Sequence, residues 1–252
     1  MKSTAVITGA TVGIGRAFAD LLAREGHDLV LVARNEERLH TTARDITAAT
    51  GVQCEVLVAD LGDRSDLARV EERVAQSDVD VLINNAGLGL NQRFATGDRE
   101  REQHMLDVLV TAVLRLTHAA AGQMKTKNRG SIVIVSSVAS FIAGGTYSAA
   151  KAWATVFAES LALELAGTDI AVTALCPGFT HTEFHQRAGI NKKAIPHFLW
   201  LDATWMVHQG WRDHKRGKVV SVPGWQYKVL LALIRFVPRK TVIAINNRVR
   251  SR

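Results

Sequence analysis

Tyr147 and Lys151 stand four residues apart in the run Tyr147-Ser148-Ala149-Ala150-Lys151. On a helix that spacing puts both side chains on one face, one above the other. A phenol and an ammonium both titrate near pH ~10 in water. A fixed positive charge nearby favours phenolate, so the lysine is expected to pull Tyr147 toward the operating pH. The pair would supply the general acid for reducing a carbonyl and the base for the reverse oxidation. Alone it is a weak signal, because a surface tyrosine beside a solvated lysine reads the same way. Its meaning depends on the elements that hold it.

Those elements alternate. Short runs rich in Val and Ile predict strands at Thr4–Thr8, Asp28–Ala33, Gln53–Val58, Val79–Asn84, Ser131–Ser136, Ala171–Cys176 and Lys218–Val222. They are apolar on both sides, as buried parallel strands are. Helical stretches begin near Ile14, Glu36, Ser65, Asp98 and Tyr147. Alternating β and α without a long linker predicts an α/β fold: a single doubly wound, Rossmann-like domain with a parallel sheet of about seven strands covered on both faces. The expected division is one α/β domain over 1–224, including the segment at about 179–215, and a basic amphipathic tail over 225–252.

Thr8-Gly9-Ala10-Thr11-Val12-Gly13-Ile14-Gly15 lies between the first strand and the first helix. Glycines permit a tight turn there and let backbone N–H groups approach a pyrophosphate at the helix N-terminus. The spacing is GxxxGxG, and its placement at the first β–α crossover is what makes it a dinucleotide site. After the second strand, where an acid would bind the 2′-hydroxyl of NAD, the chain has Ala33-Arg34. A guanidinium suits a 2′-phosphate, so NADP(H) is expected.

The glycine turn, Asn84-Asn85-Ala86-Gly87, Ser136-Ser137, Tyr147 with Lys151, and Pro177-Gly178 follow one another in sequence order. Together they closely resemble the short-chain dehydrogenase/reductase family over residues 4 to about 222. The resemblance implies that Thr8, Gly9, Thr11, Gly13, Ile14 and Gly15 hold the pyrophosphate, that Asp60 and Leu61 contact adenine, and that Asn84, Ala86 and Gly87 line the adenosine side. It implies Tyr147 as proton donor and Lys151 as the ligand of the nicotinamide ribose. Pro177, Gly178, Thr180 and Thr182 would orient the carboxamide. A strand-end serine, here Ser137 with Ser136 and Ser140 as alternatives, would hydrogen-bond the substrate carbonyl. A homodimer or homotetramer through the helices near 98–125 and 147–166 is implied as well.

Two departures stand out. Leu109, in Met105-Leu106-Asp107-Val108-Leu109-Val110-Thr111, occupies the place where the family often has an asparagine supporting a water chain to the lysine. An isobutyl group cannot hydrogen-bond, so slower or rerouted proton transfer to Lys151 is expected. The interval from Ser137 to Tyr147 is also short, which makes Phe141-Ile142-Ala143-Gly144-Gly145-Thr146 a tightened loop eased by two glycines.

Beyond Pro177, the segment holding Phe179, Phe184, Ile195, Phe198, Leu199, Trp200, Leu201, Trp205, Met206 and Trp211 tilts the substrate toward a lipophilic carbonyl or a secondary or primary alcohol. The resemblance makes this segment, about 179–215, a substrate lid of the catalytic domain, and some of these aromatics are expected to pack the lid onto the body. His181 and His185 flank Glu183, but the glutamate is one place off HExxH, and no metal is expected.

The bulk numbers fit an ordinary soluble protein: 252 residues, 47% hydrophobic and 22% charged. Cys54 and Cys176 lack CxxC spacing and read as buried free thiols of a reducing cytosol. The opening residues show no secretory pattern, no run nears ~18 apolar residues, and a cytoplasmic protein is expected. The charge of +7 is concentrated at one end: His214 to Arg252 holds ten Lys or Arg and no acid, so residues 1–213 net −3. That argues against a nucleic-acid surface over the body. Trp225 to Val237 is an apolar helical run with Lys228 and Arg235 on one side, stopped by Pro238 and followed by five basic residues. It could lie weakly on an anionic membrane surface, at the inner face, or pack on a sister subunit; the short length favours packing. A catalytically weak NADPH sensor or scaffold of the same fold is the alternative to an enzyme.

Overall fold

The computed structural model describes residues 3–189 and 195–237. Seven strands form one sheet: β1 (Thr4–Thr8), β2 (Asp28–Ala33), β3 (Cys54–Val58), β4 (Val79–Asn84), β5 (Arg129–Val135), β6 (Asp169–Leu175) and β7 (Val220–Ser221). The order is β3-β2-β1-β4-β5-β6-β7, and every pairing is parallel. Right-handed crossovers starting from β1 run outward in both directions, which leaves a crevice beyond the C-terminal ends of β1 and β4. Every site motif of the sequence except the Tyr–Lys helix itself lies at a C-terminal strand end.

One face of the sheet is covered by α1 (Gly13–Arg24), α2 (Glu36–Thr50) and α8 (Ala203–Lys215), and the core there includes Phe18, Leu22, Leu39, Ile46 and Trp211. The other is covered by α3 (Arg64–Val74), α5 (Ala112–Lys127) and α6 (Thr146–Glu164), over Val70, Leu82, Leu116, Ile132 and Ala158. Central strands β1 and β4 are buried almost throughout, which explains their unalternating composition. Edge strand β3 is only partly covered. Strand ends differ from expectation by one or two residues: β3 begins one later, β5 and β6 begin two earlier and end one earlier, and β7 begins two later and ends one earlier.

Helix starts follow local chemistry. Asn35, Asp63, Asp98 and Asp202 each accept backbone N–H bonds at the heads of α2, α3, α4 (Arg99–Leu106) and α8. Helix α4 runs through a π-helical turn, Asp107–Thr111, directly into α5. This continuous rod, Arg99–Lys127, is long and apolar enough in composition to cross a membrane. Here it is a core helix: Met105, Leu109, Leu116, Ala120 and Met124 are buried against the domain.

Candidate active site

Two turns build the phosphate end. Thr8 closes β1, and its buried hydroxyl donates to the Ile83 carbonyl while accepting the N–H groups of Asn85 and Ala86, both at 2.9 Å. Asn85 returns the contact through Nδ2 to the carbonyls of Thr8 (2.8 Å) and Gly9 (3.2 Å). The glycines are required by space and by backbone. Gly9 and Gly13 have φ of 68° and 56°, and a Cβ on Gly15 would lie 2.1 Å from the Gly9 carbonyl oxygen. Unlike α2, α3 and α4, helix α1 has no side-chain cap and no acid in its first turn. Its leading N–H groups therefore stay available, and a dinucleotide phosphate fits such a cradle. Thr11 and Ile14 lie in this loop and first turn, half-buried.

At the adenosine side, Arg34 reaches Asp60, Nη1 to Oδ2 3.5 Å, so the two residues expected to meet 2′-phosphate and adenine are next to each other. Leu61 is buried in the core and Asn84 turns its amide to Thr117 (2.9 Å), so both side chains are engaged within the protein. Arg38, which the sequence reading does not single out, places a second guanidinium here and donates to Glu183 at 3.1 and 3.3 Å. That ion pair joins α2 to the segment after Pro177. The same segment lies on the glycine turn: a Cβ at Gly13 would meet Thr182 Cγ2 at 2.6 Å.

The chemical end is carried by α6. Tyr147 sits in its first turn, after Gly145 with φ 87°, where the shortened loop enters the helix. Ser137 caps the 3-10 turn Val138–Phe141 by accepting the Ala139 N–H, and its hydroxyl lies near enough to the Tyr147 phenol to favour the phenolate. The Val138 N–H donates to the Pro177 carbonyl (3.0 Å), which ties the Ser137 turn to the Pro177-Gly178 turn. Of the alternatives, Ser136 is engaged with the Lys151 carbonyl (2.8 Å) and Thr155 (2.7 Å). Ser140 has its hydroxyl buried toward the Cys176 thiol, without a partner at full hydrogen-bond geometry. Ser137 alone of the three acts on the tyrosine phenol among the interactions the structure shows.

Lys151 is buried, donates to the Val135 carbonyl (2.7 Å) and lies 5.8 Å from the centre of the Tyr147 ring. Burial lowers its pKa to about 8, the Cys176 thiol opposing by charge. Burial raises Tyr147 to about 12, and only the Ser137 hydroxyl acts the other way. Tyr147 is half-buried as a residue, and the packing around its ring is what disfavours the phenolate. The expected depression of the phenol by its lysine is therefore absent from the protein alone. The ammonium faces a carbonyl, and the cost of a buried phenolate prevails.

Leu109 is 1% exposed inside the π turn. A methyl added at Gly87 would touch its Cδ2 at 3.2 Å and Lys151 Nζ at 3.9 Å, so Leu109 does stand at the lysine's side. It joins Met105, Ala150, Leu88, Leu90, Val110 and Tyr147 in a small apolar cluster. Phe184, in the short α7 (Phe184–Arg187), adds a ring 5.7 Å from that of Tyr147. His181 stacks on Trp200, at 4.9 Å, and the side chain of His185 lies outside the described residues.

The lid is smaller than the sequence suggests. Trp211 packs edge-on to Phe18 at 6.4 Å and donates to Glu25, and Met206 is fully buried, so α8 belongs to the body. Thr180 donates to the Gly178 carbonyl and pairs with Leu201 across the lid. The residue that fixes this segment is Tyr227 of α9 (Trp225–Phe236), inside the stretch expected to be a tail. Its hydroxyl accepts the Phe179 N–H (2.8 Å) and donates to the Leu199 carbonyl, and its ring fills the space of a Gly178 side chain. No sequence signal marks that tyrosine, since an apolar helical run gives no partner. Asn85 was legible only as part of its turn.

Comparison with known proteins agrees with this arrangement. The chain matches the short chain dehydrogenase family over residues 3–193. It is 33% identical to an uncharacterized oxidoreductase of Myxococcus xanthus over 254 aligned positions, 98% of this chain and 97% of that one. A short-chain dehydrogenase from Sphingobium yanoikuyae, solved in complex with NADPH, superposes with a TM-score of 0.85 at 33% identity, covering 94% and 96% of the two chains. A bulky-bulky ketone specific alcohol dehydrogenase from Comamonas testosteroni gives 0.80 at 30% identity, over 94% and 95%. The chain is an oxidoreductase that belongs to the short chain dehydrogenase family.

Proposed function

We propose that this enzyme interconverts a lipophilic carbonyl compound and its alcohol with NADP(H), Tyr147 acting as general acid and base. One observation carries the reading: Tyr147 shares a helix face with Lys151, whose Nζ is 5.8 Å from its ring centre, with the Ser137 hydroxyl near its phenol and an uncapped glycine cradle at the neighbouring strand ends. Gly9, Thr11, Gly13, Ile14 and Gly15 would hold the pyrophosphate. Arg34, with Asp60 beside it, would meet the 2′-phosphate, and the NADPH-bound relative supports that preference. Bound NADP(H) supplies the hydride.

The residues supply the rest. At neutral pH the phenol of Tyr147, with a pKa of about 12, is protonated and is a hydrogen-bond donor. It would give its proton to the carbonyl oxygen as negative charge develops there, while the Ser137 hydroxyl donates a second bond to that oxygen. Lys151, with a pKa of about 8, stays mostly charged at pH 7 and offsets the phenolate left behind. A protonated tyrosine favours reduction as the ready direction. The lipophilic substrate is supported by the apolar approach through Leu88, Leu90, Leu109 and Phe184, and by the bulky ketones named for the Comamonas relative. Exposed Leu114, Val156 and Leu163 on α5 and α6 support a homodimer or homotetramer through those helices, and the two free cysteines support residence in the cytoplasm. The catalytic unit on this reading runs through Tyr227.

Leu109 beside Lys151 favours a second reading, a weakly catalytic NADPH sensor. Turnover of a panel of ketones and aldehydes separates the two. We expect NADPH oxidation with bulky apolar ketones, falling ~10²–10⁴-fold in Tyr147→Phe with NADPH affinity intact. Equal rates in the two proteins would remove Tyr147 from the chemistry, and tighter binding of NADH than NADPH would remove Arg34 from cofactor choice.

A further inference from the structure

We propose that α9 is an interfacial helix that seats the enzyme on an anionic lipid surface, with the substrate lid at the contact. The helix has two unlike faces. Inward, Tyr227 is 1% exposed and bound to the backbone of Phe179 and Leu199 in the lid. Outward, Trp225 is 74% and Phe236 85% exposed, with Val229, Leu233 and Leu230 between them. At 3.6 residues per turn these five positions share one side of the helix, and Lys228 is exposed at its border. So large an aromatic and aliphatic face, open to solvent, marks a contact surface.

Charge selects the occupant. From His214 to Arg252 the sequence has ten Lys or Arg and no acid, whereas the preceding residues net −3. A second copy docked through α9 would be isologous, so each basic end would meet its own image, with no carboxylate in the segment to answer it. Lys215 and Lys218 already pair with Glu25 and Asp213, and a surface rich in anionic headgroups answers the charges that follow them. Subunit contact has a separate candidate face on α5 and α6, with Leu114, Val156 and Leu163 exposed.

Length decides the mode. The twelve residues of α9 rise roughly 18 Å, well short of the ~30 Å hydrocarbon core, so the helix can lie in the interface but cannot span it. The contact would extend onto the lid. Gln226 Nε2 donates to the Phe198 carbonyl at 3.2 Å, and the Phe198 ring is 67% exposed. An apolar substrate dissolved in the bilayer would thus meet the lid without crossing water. That consequence rests on the proposed substrate class, whereas the docking does not.

The test uses the full chain and co-sedimentation with vesicles of phosphatidylcholine, with and without phosphatidylglycerol. We expect sedimentation with the anionic vesicles, reversed by high salt, and a drop of at least ~10-fold in the partition coefficient for Leu233→Glu with Phe236→Glu. NADPH binding serves as the control for folding. Tryptophan quenching by brominated phosphatidylglycerol should fall in the conservative variant Trp225→Phe, which reports the helix in the interface even if the double variant folds poorly. Three results would overturn the proposal: no sedimentation of the native protein with anionic vesicles; equal binding by the double variant, which would assign attraction to the basic end alone; or a change in oligomeric mass in that variant without any lipid binding by the native chain, which would make this face a subunit contact. A substrate panel that fails while vesicle binding holds would sink the proposed reaction and leave the docking intact.

Discussion

Lys151 carries a stability cost that its chemistry explains. Its ammonium is buried, bound to one carbonyl, and held at a pKa of about 8 against an ordinary 10.5. Folding therefore disfavours the charged form, and between those values the unfolded chain binds more protons than the folded one. Stability must then rise with pH as the folded lysine discharges from about pH 8 upward, and below pH 8 the whole cost is present. Lys151→Met removes the charge but leaves the Val135 carbonyl unpaired, so the gain at pH 7 should be about 1–2 kcal/mol. Urea denaturation at pH 7 and pH 9.5 checks this. The variant should be the more stable at pH 7, with the gap narrowing at pH 9.5 and turnover lost at both. A variant less stable at pH 7 would mean that the lysine's hydrogen bond outweighs its desolvation.

The elements show what was readable and what was not. Glycine spacing between strand and helix, and the Tyr–Lys interval on one helix face, follow from local geometry, so the cradle and α6 were legible residue by residue. The pKa relation was not, because four-residue spacing fixes a face but not where Lys151 Nζ turns, and it turns to Val135. Trp211 and Met206 read as lid residues because a sequence does not state that Phe18 and α1 lie opposite Trp211. Tyr227 was invisible for the same reason, being bound to residues 28 and 48 positions away. Tyr227→Phe removes the hydroxyl that joins Phe179 to Leu199. It should cost about 1–3 kcal/mol and raise the KM for a bulky ketone more than the dissociation constant of NADPH. Equal changes in both would show that Tyr227 supports the domain rather than the lid.

The π turn at Asp107–Thr111 is the other element with a consequence. A π turn inside a helix rotates the side chains that follow it and often marks a functional position. Here it holds Leu109, whose Cδ2 flanks Gly87 together with the Lys151 Nζ, so an isobutyl group stands near the amine. Leu109→Asn would put an amide there. The core should lose about 2–4 kcal/mol for the missing apolar contact and the buried polar group. Turnover under saturating NADPH should nonetheless rise several-fold if proton return to Lys151 limits the rate, with a smaller solvent isotope effect. An unchanged isotope effect would place the slow step elsewhere, in hydride transfer or product release.

At the scale of the whole molecule, one apolar face remains on α6. Val156 and Leu163 are seven residues apart, hence on one side of the helix, and are 60% and 78% exposed. Leu114 of α5 is exposed as well, and Trp153 stacks on Phe157 at 4.8 Å within the same stretch of α6. The helix that carries Tyr147 and Lys151 on its inner side therefore presents its outer side for association. Two copies joined there by a twofold axis would bury these faces against each other, and α6 would be held from both sides. Charging the face should break such an assembly at little cost to the protomer, since exposed substitutions seldom change stability by more than ~0.5 kcal/mol. Val156→Glu with Leu163→Glu should lower the mass measured by light scattering to that of one chain and make the melting temperature independent of protein concentration, as linkage requires when no partner binds the folded state. NADPH binding should persist, because the cradle lies on β1 and α1, whereas kcat should fall as α6 loses its outer support. A native protein that is already monomeric at micromolar concentration would end the assembly proposal, and a double variant of unchanged mass would move the contact to another face.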